Sequence, residues 1–357
     1  MGMEIEDVFK KLKPIAGKEM DRIWLEYLLA ESETQKLIEH ALKISLAREL
    51  NETHEEREIL LEPPPEELSY GEYPLGIVLY GKERFHLFGM TEKEWVRHIG
   101  IFGVTGSGKT NTSFLILLNF LEARKPFLVF DWKRNYRDLT SLPGAEDILI
   151  FTVGRDVAPF HLNPLIPPRG TQPTVWLKKL IEITCHAYFL GEGVAYLLQK
   201  AIDSVYRESG IYDGNQEAYP TLSDVKEWLE NRKVKGREGS WMESALRAVG
   251  VLCYGEVDRV LNQRQPFPLE RILERNVILE LNALTDSDKT FLIETLLLWI
   301  HHHRLGEEGR ETFKHAIVIE EAHHILLRKK QEVTGEEAVT DVILREIREL
   351  GEAIILI

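Results

Sequence analysis

Residues 103 to 110 read Gly103-Val104-Thr105-Gly106-Ser107-Gly108-Lys109-Thr110, an in-register match to G-x-x-x-x-G-K-T. No other stretch constrains the fold as tightly, because the motif needs a buried strand before it and a helix N-terminus after it. Both flanks are present: His98 to Phe102 is an apolar run, and helical periodicity extends from Asn111 to about Arg124. The glycines let successive backbone amides turn inward around a phosphate, and the helix N-terminus favours negative charge. Lys109 would reach the β- and γ-phosphates and Thr110 would offer its hydroxyl to magnesium. The candidate nucleotide-binding set is therefore Gly103, Thr105, Gly106, Ser107, Gly108, Lys109, Thr110 and Asn111, with ATP and Mg2+ as the expected ligands.

After that helix, Phe127 to Phe130 reads as a buried strand ending at Asp131. Strand, glycine turn, helix and strand make a βαβ unit, so an α/β fold with a mainly parallel sheet is expected. Upstream, residues 1–66 carry apolar positions at helical spacing, for example Leu37, Ile38, Ala41 and Leu42, and read as a helical N-terminal unit. The run Pro63-Pro64-Pro65 cannot continue a helix and marks a linker. Residues 67–164 would form the first part of the core. Residues 165–275, mostly helical in period and with a capping-box start at Thr221 and Asp224, would form an inserted helical subdomain. Residues 276–357 would complete the sheet through Val277–Leu281, Ala316–Ile319 and Ala353–Ile357, with helices between.

The segment His315-Ala316-Ile317-Val318-Ile319-Glu320-Glu321-Ala322-His323 is a buried strand ending in two carboxylates, where open α/β sheets hold their ligands. Glu320 is assigned to the metal and Glu321 to the attacking water. The reverse assignment stays open, because side-chain alternation is lost at a strand end.

With 58 Asp plus Glu against 44 Lys plus Arg, the net charge is -14, which argues against wholesale coating of nucleic acid. A protein gripping DNA through a few loops is compatible with it. Two cysteines, Cys185 and Cys253, are too few for a disulfide framework or a zinc site, and both read as packed thiols. No apolar run approaches the roughly 20 residues needed to span a bilayer. The N-terminus is acidic and amphipathic, unlike a secretory signal, so a cytoplasmic location is expected.

Taken together, GVTGSGKT, FLVFDWK with Asp131, PFHLNPLIPP at 159 to 168 and IVIEEAHH resemble the HerA branch of the HerA/FtsK superfamily. The similarity runs from about Gly71 to Ile357, and the Glu-Glu-Ala-His form is its most specific part. Such a resemblance implies a RecA-like P-loop NTPase fold of the ASCE type and a hexameric ring that hydrolyses ATP at subunit interfaces. It further implies double-stranded DNA as substrate, drawn through a central pore, with a nuclease or transfer-machinery partner. Carried over residue by residue, Lys109 and Thr110 match the phosphate and magnesium residues, and Glu320 and Glu321 the metal and catalytic acids. Arg348, three residues before Gly351, matches an arginine that acts in the neighbouring subunit's site. A plain surface arginine paired with Glu346 or Glu349 is the equal alternative for it.

Two departures accompany the resemblance. The family's N-terminal β-barrel is replaced by a helical pattern. The polar sensor and further strand that follow the last strand in relatives are not present after Ile357, so a shortened chain is expected. A DEAH-box RNA helicase shares the first two motifs, but Lys109 and Glu320 stand 211 positions apart around a helical insertion and no S-A-T-like motif occurs. Within the motor class, a conjugation or type IV secretion-like DNA-transfer ATPase shares every motif. From a different class, a nucleotide-switched interaction module with little turnover remains the competing expectation. Of the weaker features, the basic stretch Arg232, Lys233, Lys235 and Arg237 is either a phosphate-contacting loop or a solvated turn. His301, His302 and His303, with His323 and His324, invite a metal site, but three consecutive histidines cannot all face one ion on a helix and no Cys or Asp partner stands at ligand spacing. Trp95, Trp132, Trp228, Trp241 and Trp299 are expected to pack in the core.

Overall fold

A computed structural model describes residues 5–49, 62–215, 218–326 and 339–357. The part of the N-terminal helical expectation that falls on residues 50–61 lies outside these. The chain divides into two compact units, Met1–Thr91 and Glu92–Ile357.

The first unit holds helices α1 (Ile5–Ala16), α2 (Lys18–Leu29) and α3 (Ser32–Glu49) and the antiparallel hairpin β1 (Tyr73–Tyr80) and β2 (Glu83–Met90). Gly17, at φ 55°, turns α1 into α2, a left-handed conformation that costs glycine little. Val8, Phe9, Leu12, Met20, Leu42, Leu46 and Tyr80 close a small core, and the Phe9 and Trp24 rings meet edge to face at 4.3 Å.

The second unit is built on a six-stranded, wholly parallel sheet. Its strands are β3 (Ile99–Gly100), β4 (Phe127–Asp131), β5 (Leu149–Thr152), β6 (Val277–Glu280), β7 (His315–Ile319) and β8 (Glu352–Leu356), in the order β3-β8-β7-β4-β6-β5. Strands β4, β6 and β7 are buried along their whole length, which is why they read as unbroken apolar runs rather than as alternating ones. The order places β8, the last strand, between the strand that enters the phosphate loop and the strand that ends at Glu320. This is the α/β, RecA-like P-loop architecture expected from the sequence.

Helix α4 (Lys109–Glu122) follows the phosphate loop. Between β5 and β6 the chain forms α5 (Pro173–Tyr188), α6 (Glu192–Glu208), α7 (Leu222–Glu230) and α8 (Arg237–Leu252), which pack on one another around Leu197, Leu198, Val225, Leu229, Met242 and Val249. The capping box at α7 is present: Asp224 Oδ2 accepts from the Thr221 backbone amide at 2.7 Å. Helix α9 (Asp286–Leu305) is buried on nearly every face between sheet and insertion, and α10 (Val339–Glu346) with a 3-10 turn at Ile347–Leu350 leads into β8.

One charged network ties the far end of the sheet together. Glu352 of β8 is fully buried and accepts from Arg304 Nε on α9 and pairs with His315 Nδ1 on β7, each at 2.6 Å. Burial alone would raise its pKa, but His315 and Arg304 overcome that and hold it low.

The histidine triplet on α9 separates as helix geometry requires. His301 pairs with Glu346, His302 meets the Trp176 ring edge to face, and His303 stacks on Trp299. Cys185 and Cys253 are free and half-buried, and burial raises both thiols, Cys185 to about 11. Trp95, Trp132 and Trp299 are buried as expected, whereas Trp228 and Trp241 remain half-exposed, each beneath an arginine.

Candidate active site

Strand β3 is short, and the chain leaves it through Ile101, whose amide donates to Leu356 O of β8 at 2.8 Å. It then turns through the Gly103–Thr110 loop, with Gly106 at φ 83° and Gly108 at φ 93°, and Gly108 caps α4. Gly103 is crowded rather than bent, since an added Cβ would lie 2.4 Å from Ser107 Oγ and move that side chain. The Lys109 ammonium curls into the loop and donates to Gly103 O at 2.9 Å and Val104 O at 3.4 Å. A lysine held by neutral carbonyls at the mouth of an amide-lined turn is placed for exchange onto an anionic oxygen. Thr110 follows it on the first turn of α4, half-buried, and Asn111 is exposed on the same turn.

The two glutamates part company at the end of β7. Glu320 is 5% exposed. Its Oε1 accepts from Asn135 Nδ2 at 3.0 Å, while Oε2 is buried with no hydrogen-bond partner. Burial, with Asp131 nearby, holds its carboxyl above the ordinary range. An orphaned carboxylate oxygen in that environment is what a divalent cation would satisfy, so the donor set fits Mg2+. Glu321 adopts φ 52° and ψ 40°, an uncommon left-handed conformation for a residue with a Cβ, and this turns its side chain away from its neighbour's environment. It lies within hydrogen-bond reach of Lys133 Nζ, and the lysine holds its carboxyl below the ordinary range. His323 Nδ1 is 3.5 Å from its other oxygen.

Both contacts come from one loop, residues 132–137, that follows β4. Asp131 builds that loop. Fully buried, it accepts from the Lys133 and Asn135 amides through Oδ1 and from the Tyr136 amide through Oδ2. Tyr136 Oη and Ser113 Oγ on α4 lie 3.0 Å apart, which links the loop to the phosphate-loop helix. Arg137 forks onto the buried Glu280 at the end of β6, with Nη2 to Oε2 at 3.0 Å. The Trp132 ring stacks on His324 at 4.8 Å, and Lys289 lies over the same ring.

Lys133, Asn135, Tyr136, Ser113 and Glu280 escaped the sequence reading. Of these only the Lys133-Arg134-Asn135 run, one residue beyond the strand-end Asp131, leaves a trace in the sequence, and its pairing with residues almost 190 positions away does not.

Arg348 sits elsewhere. It is exposed on the 3-10 turn that precedes β8, while Leu356 at the other end of β8 neighbours the phosphate loop's strand. The five residues of β8 place about 16 Å of strand between them, farther than an arginine side chain spans. Glu346, one of its expected partners, is taken by His301.

Residues 91–183 match the family model for the central domain of helicase HerA, which bears out over that segment the resemblance carried by the motifs. Among solved structures, VirB4 of Thermoanaerobacter pseudethanolicus superposes with a TM-score of 0.58 at 17% identity, covering 79% of this chain and 75% of that one. The bacterial conjugative coupling protein TrwBΔN70 gives 0.52 at 14% identity, covering 75% of this chain and 63% of its own. TrwB structures similar to this chain include one with the non-hydrolysable ATP analogue ADPNP and one with ADP and Mg2+. At these identities the likeness is one of fold. The chain spans a little under two thirds of the TrwB structures it matches. No curated protein sequence matches it. Among the described residues, no helix is long and apolar enough to cross a membrane.

Proposed function

We propose that the chain is the ATP-hydrolysing core of a DNA translocase, working as a ring in which each subunit completes its neighbour's active site. The observation that carries the ATPase reading is the divergence of Glu320 and Glu321. One strand end presents a buried, half-satisfied carboxylate and an ionised, partly exposed one on the same sheet edge as the Lys109 loop. In this reading the loop amides and Lys109 bind the β- and γ-phosphates, and Thr110 and Glu320 hold Mg2+. When bound, the metal neutralises developing charge on the phosphates. Asn135 fixes the Glu320 rotamer, and Asp131 fixes Asn135. Glu321 orients a water for in-line attack, and its ion pair with Lys133 keeps it deprotonated for that task. The distance of Arg348 from its own phosphate loop supports a role across a subunit interface, where an arginine can raise turnover by several orders of magnitude.

Magnesium-dependent ATP hydrolysis, measured with and without linear duplex DNA while particle mass is recorded, tests the reading. Turnover that rises with DNA in ring-sized particles is expected. ATP binding with neither turnover nor response to DNA would overturn it and leave a nucleotide-switched interaction module. The likeness to VirB4 and to a conjugative coupling protein favours a second reading within the same class, a DNA-transfer ATPase that pumps DNA through a secretion machine.

A further inference from the structure

The helical insertion carries a group of cations that the active site does not use. Lys200 on α6, Arg232, Lys233 and Lys235 on the turn between α7 and α8, and Arg237 at the start of α8 are all exposed. Other cations of the insertion are paired: Arg207 with Asp203, Lys226 with Glu230, Lys179 with Glu182. Among the described residues none of the five lies within ion-pair distance of a carboxylate, although Lys200 feels Glu238 as well as Arg232. In a chain with a net charge of -14, the turn at residues 231–237 carries four cations and no acidic residue.

Three of the five are held by aromatic rings instead. Lys200 Nζ lies 4.5 Å from the Tyr196 centroid, Arg232 4.3 Å from Trp228 and Arg237 5.3 Å from Trp241. These rings come from three helices that pack directly on one another. Trp241 is itself fixed by close approach to α6, since a Cβ added at Gly193 would lie 2.2 Å from its Cε2. A guanidinium held 4.3 to 5.3 Å over an indole face has already given up some rotamer freedom, and Arg232 and Arg237 both remain exposed to solvent. Such a group meets a phosphate oxygen without the ordering cost that a solvated arginine pays on binding.

We propose that Lys200, Arg232, Lys233, Lys235 and Arg237 form a surface that grips the phosphate backbone of DNA without reading its sequence. The proposal rests on the DNA reading above and deepens it by assigning a contact surface outside the nucleotide site. Five exposed cations on one face meet a polyanion wherever its phosphates lie, so the affinity is expected to be set by counterion release.

The test is the salt dependence of binding to a fluorescent linear duplex of mixed sequence. It uses the full chain and a combined Arg232→Gln, Lys235→Gln, Arg237→Gln variant. Each lost phosphate contact lowers the slope of log K against log salt by about 0.9, so the slope should fall by about 2 to 3. ATP hydrolysis without DNA should not change. Arg207→Gln, which removes an ion-paired arginine of α6 outside the group, should leave the slope as it is. Should the combined variant melt at a lower temperature than the wild type, the single substitutions carry the test, each with an expected fall of about 0.9. A wild-type slope retained in the combined variant, or an equal fall with Arg207→Gln, overturns the surface and leaves the DNA reading standing. A chain that hydrolyses ATP but binds no duplex at any salt overturns the DNA reading and this surface with it.

Discussion

Glu320 and Glu321 are neighbours in sequence with opposite electrostatic fates, because the backbone reverses its hand at Glu321. The first is driven toward neutrality by burial and the second toward ionisation by Lys133. If Glu321 positions and activates the attacking water, Glu321→Gln removes the base while keeping size and a hydrogen-bonding oxygen. Binding of a fluorescent ATP analogue should then be retained while turnover falls about a hundredfold or more. An unchanged rate would move the catalytic role elsewhere. His302 gives a residue-scale prediction about stability. Burial, His301 and Lys179 lower its pKa from 6.5 to about 4. The unfolded chain therefore takes up a proton between these values that the folded chain does not, so stability is complete above about 6.5 and is lost as pH falls toward 4. His302→Leu should flatten the fall in melting temperature over that window, a comparison that thermal unfolding at several pH values reads directly.

At the scale of elements, the loop 132–137 makes the site a unit. Asp131→Ala would leave the buried Tyr136 amide and the part-buried Lys133 and Asn135 amides without their acceptor, a loss of about 2 to 3 kcal/mol. It would also release Asn135 from Glu320 and Lys133 from Glu321. Asp131→Asn keeps one side-chain oxygen and should lose about 1 kcal/mol. Urea unfolding, with an unchanged denaturant slope, separates the two. This loop also marks where sequence reading stopped. The phosphate loop was legible because its chemistry is written in consecutive residues, and strands β4, β6 and β7 because full burial leaves unbroken apolar runs. The acidic strand end was legible as a pair, and the separate environments of its members were not, because Lys133 and Asn135 reach them across the sheet from 185 or more positions away. Of the helical structure expected ahead of Ala353–Ile357, the chain forms α10 and then tightens into a 3-10 turn, where Gly351 at φ 90° ends it. Trp228 and Trp241 pack against the core as their type suggests, and the arginine over the outer side of each is what a sequence pattern does not show.

For the molecule as a whole, the decisive question is whether an active site belongs to one chain or to two. The sheet separates Arg348 from the phosphate loop of its own chain by the length of β8, a distance that an arginine side chain does not span. In a head-to-tail ring the same separation becomes useful, because the edge that carries Arg348 in one subunit can face the nucleotide edge of the next. Two variants then fail for different reasons. Lys109→Ala loses its own nucleotide grip but still presents an arginine, while Arg348→Ala binds nucleotide but presents none. Each alone should lose most DNA-stimulated turnover. Mixed in equal amounts and allowed to exchange subunits, they should recover part of it, since about one interface in four pairs an intact Lys109 with an intact Arg348 from its neighbour. Steady-state hydrolysis by the mixture, set against each variant alone at the same total concentration, reads this out. Recovery requires that the arginine act across the interface. A mixture no more active than the average of its components would rule out action across the interface, and full turnover by Arg348→Ala alone would make it a plain surface arginine.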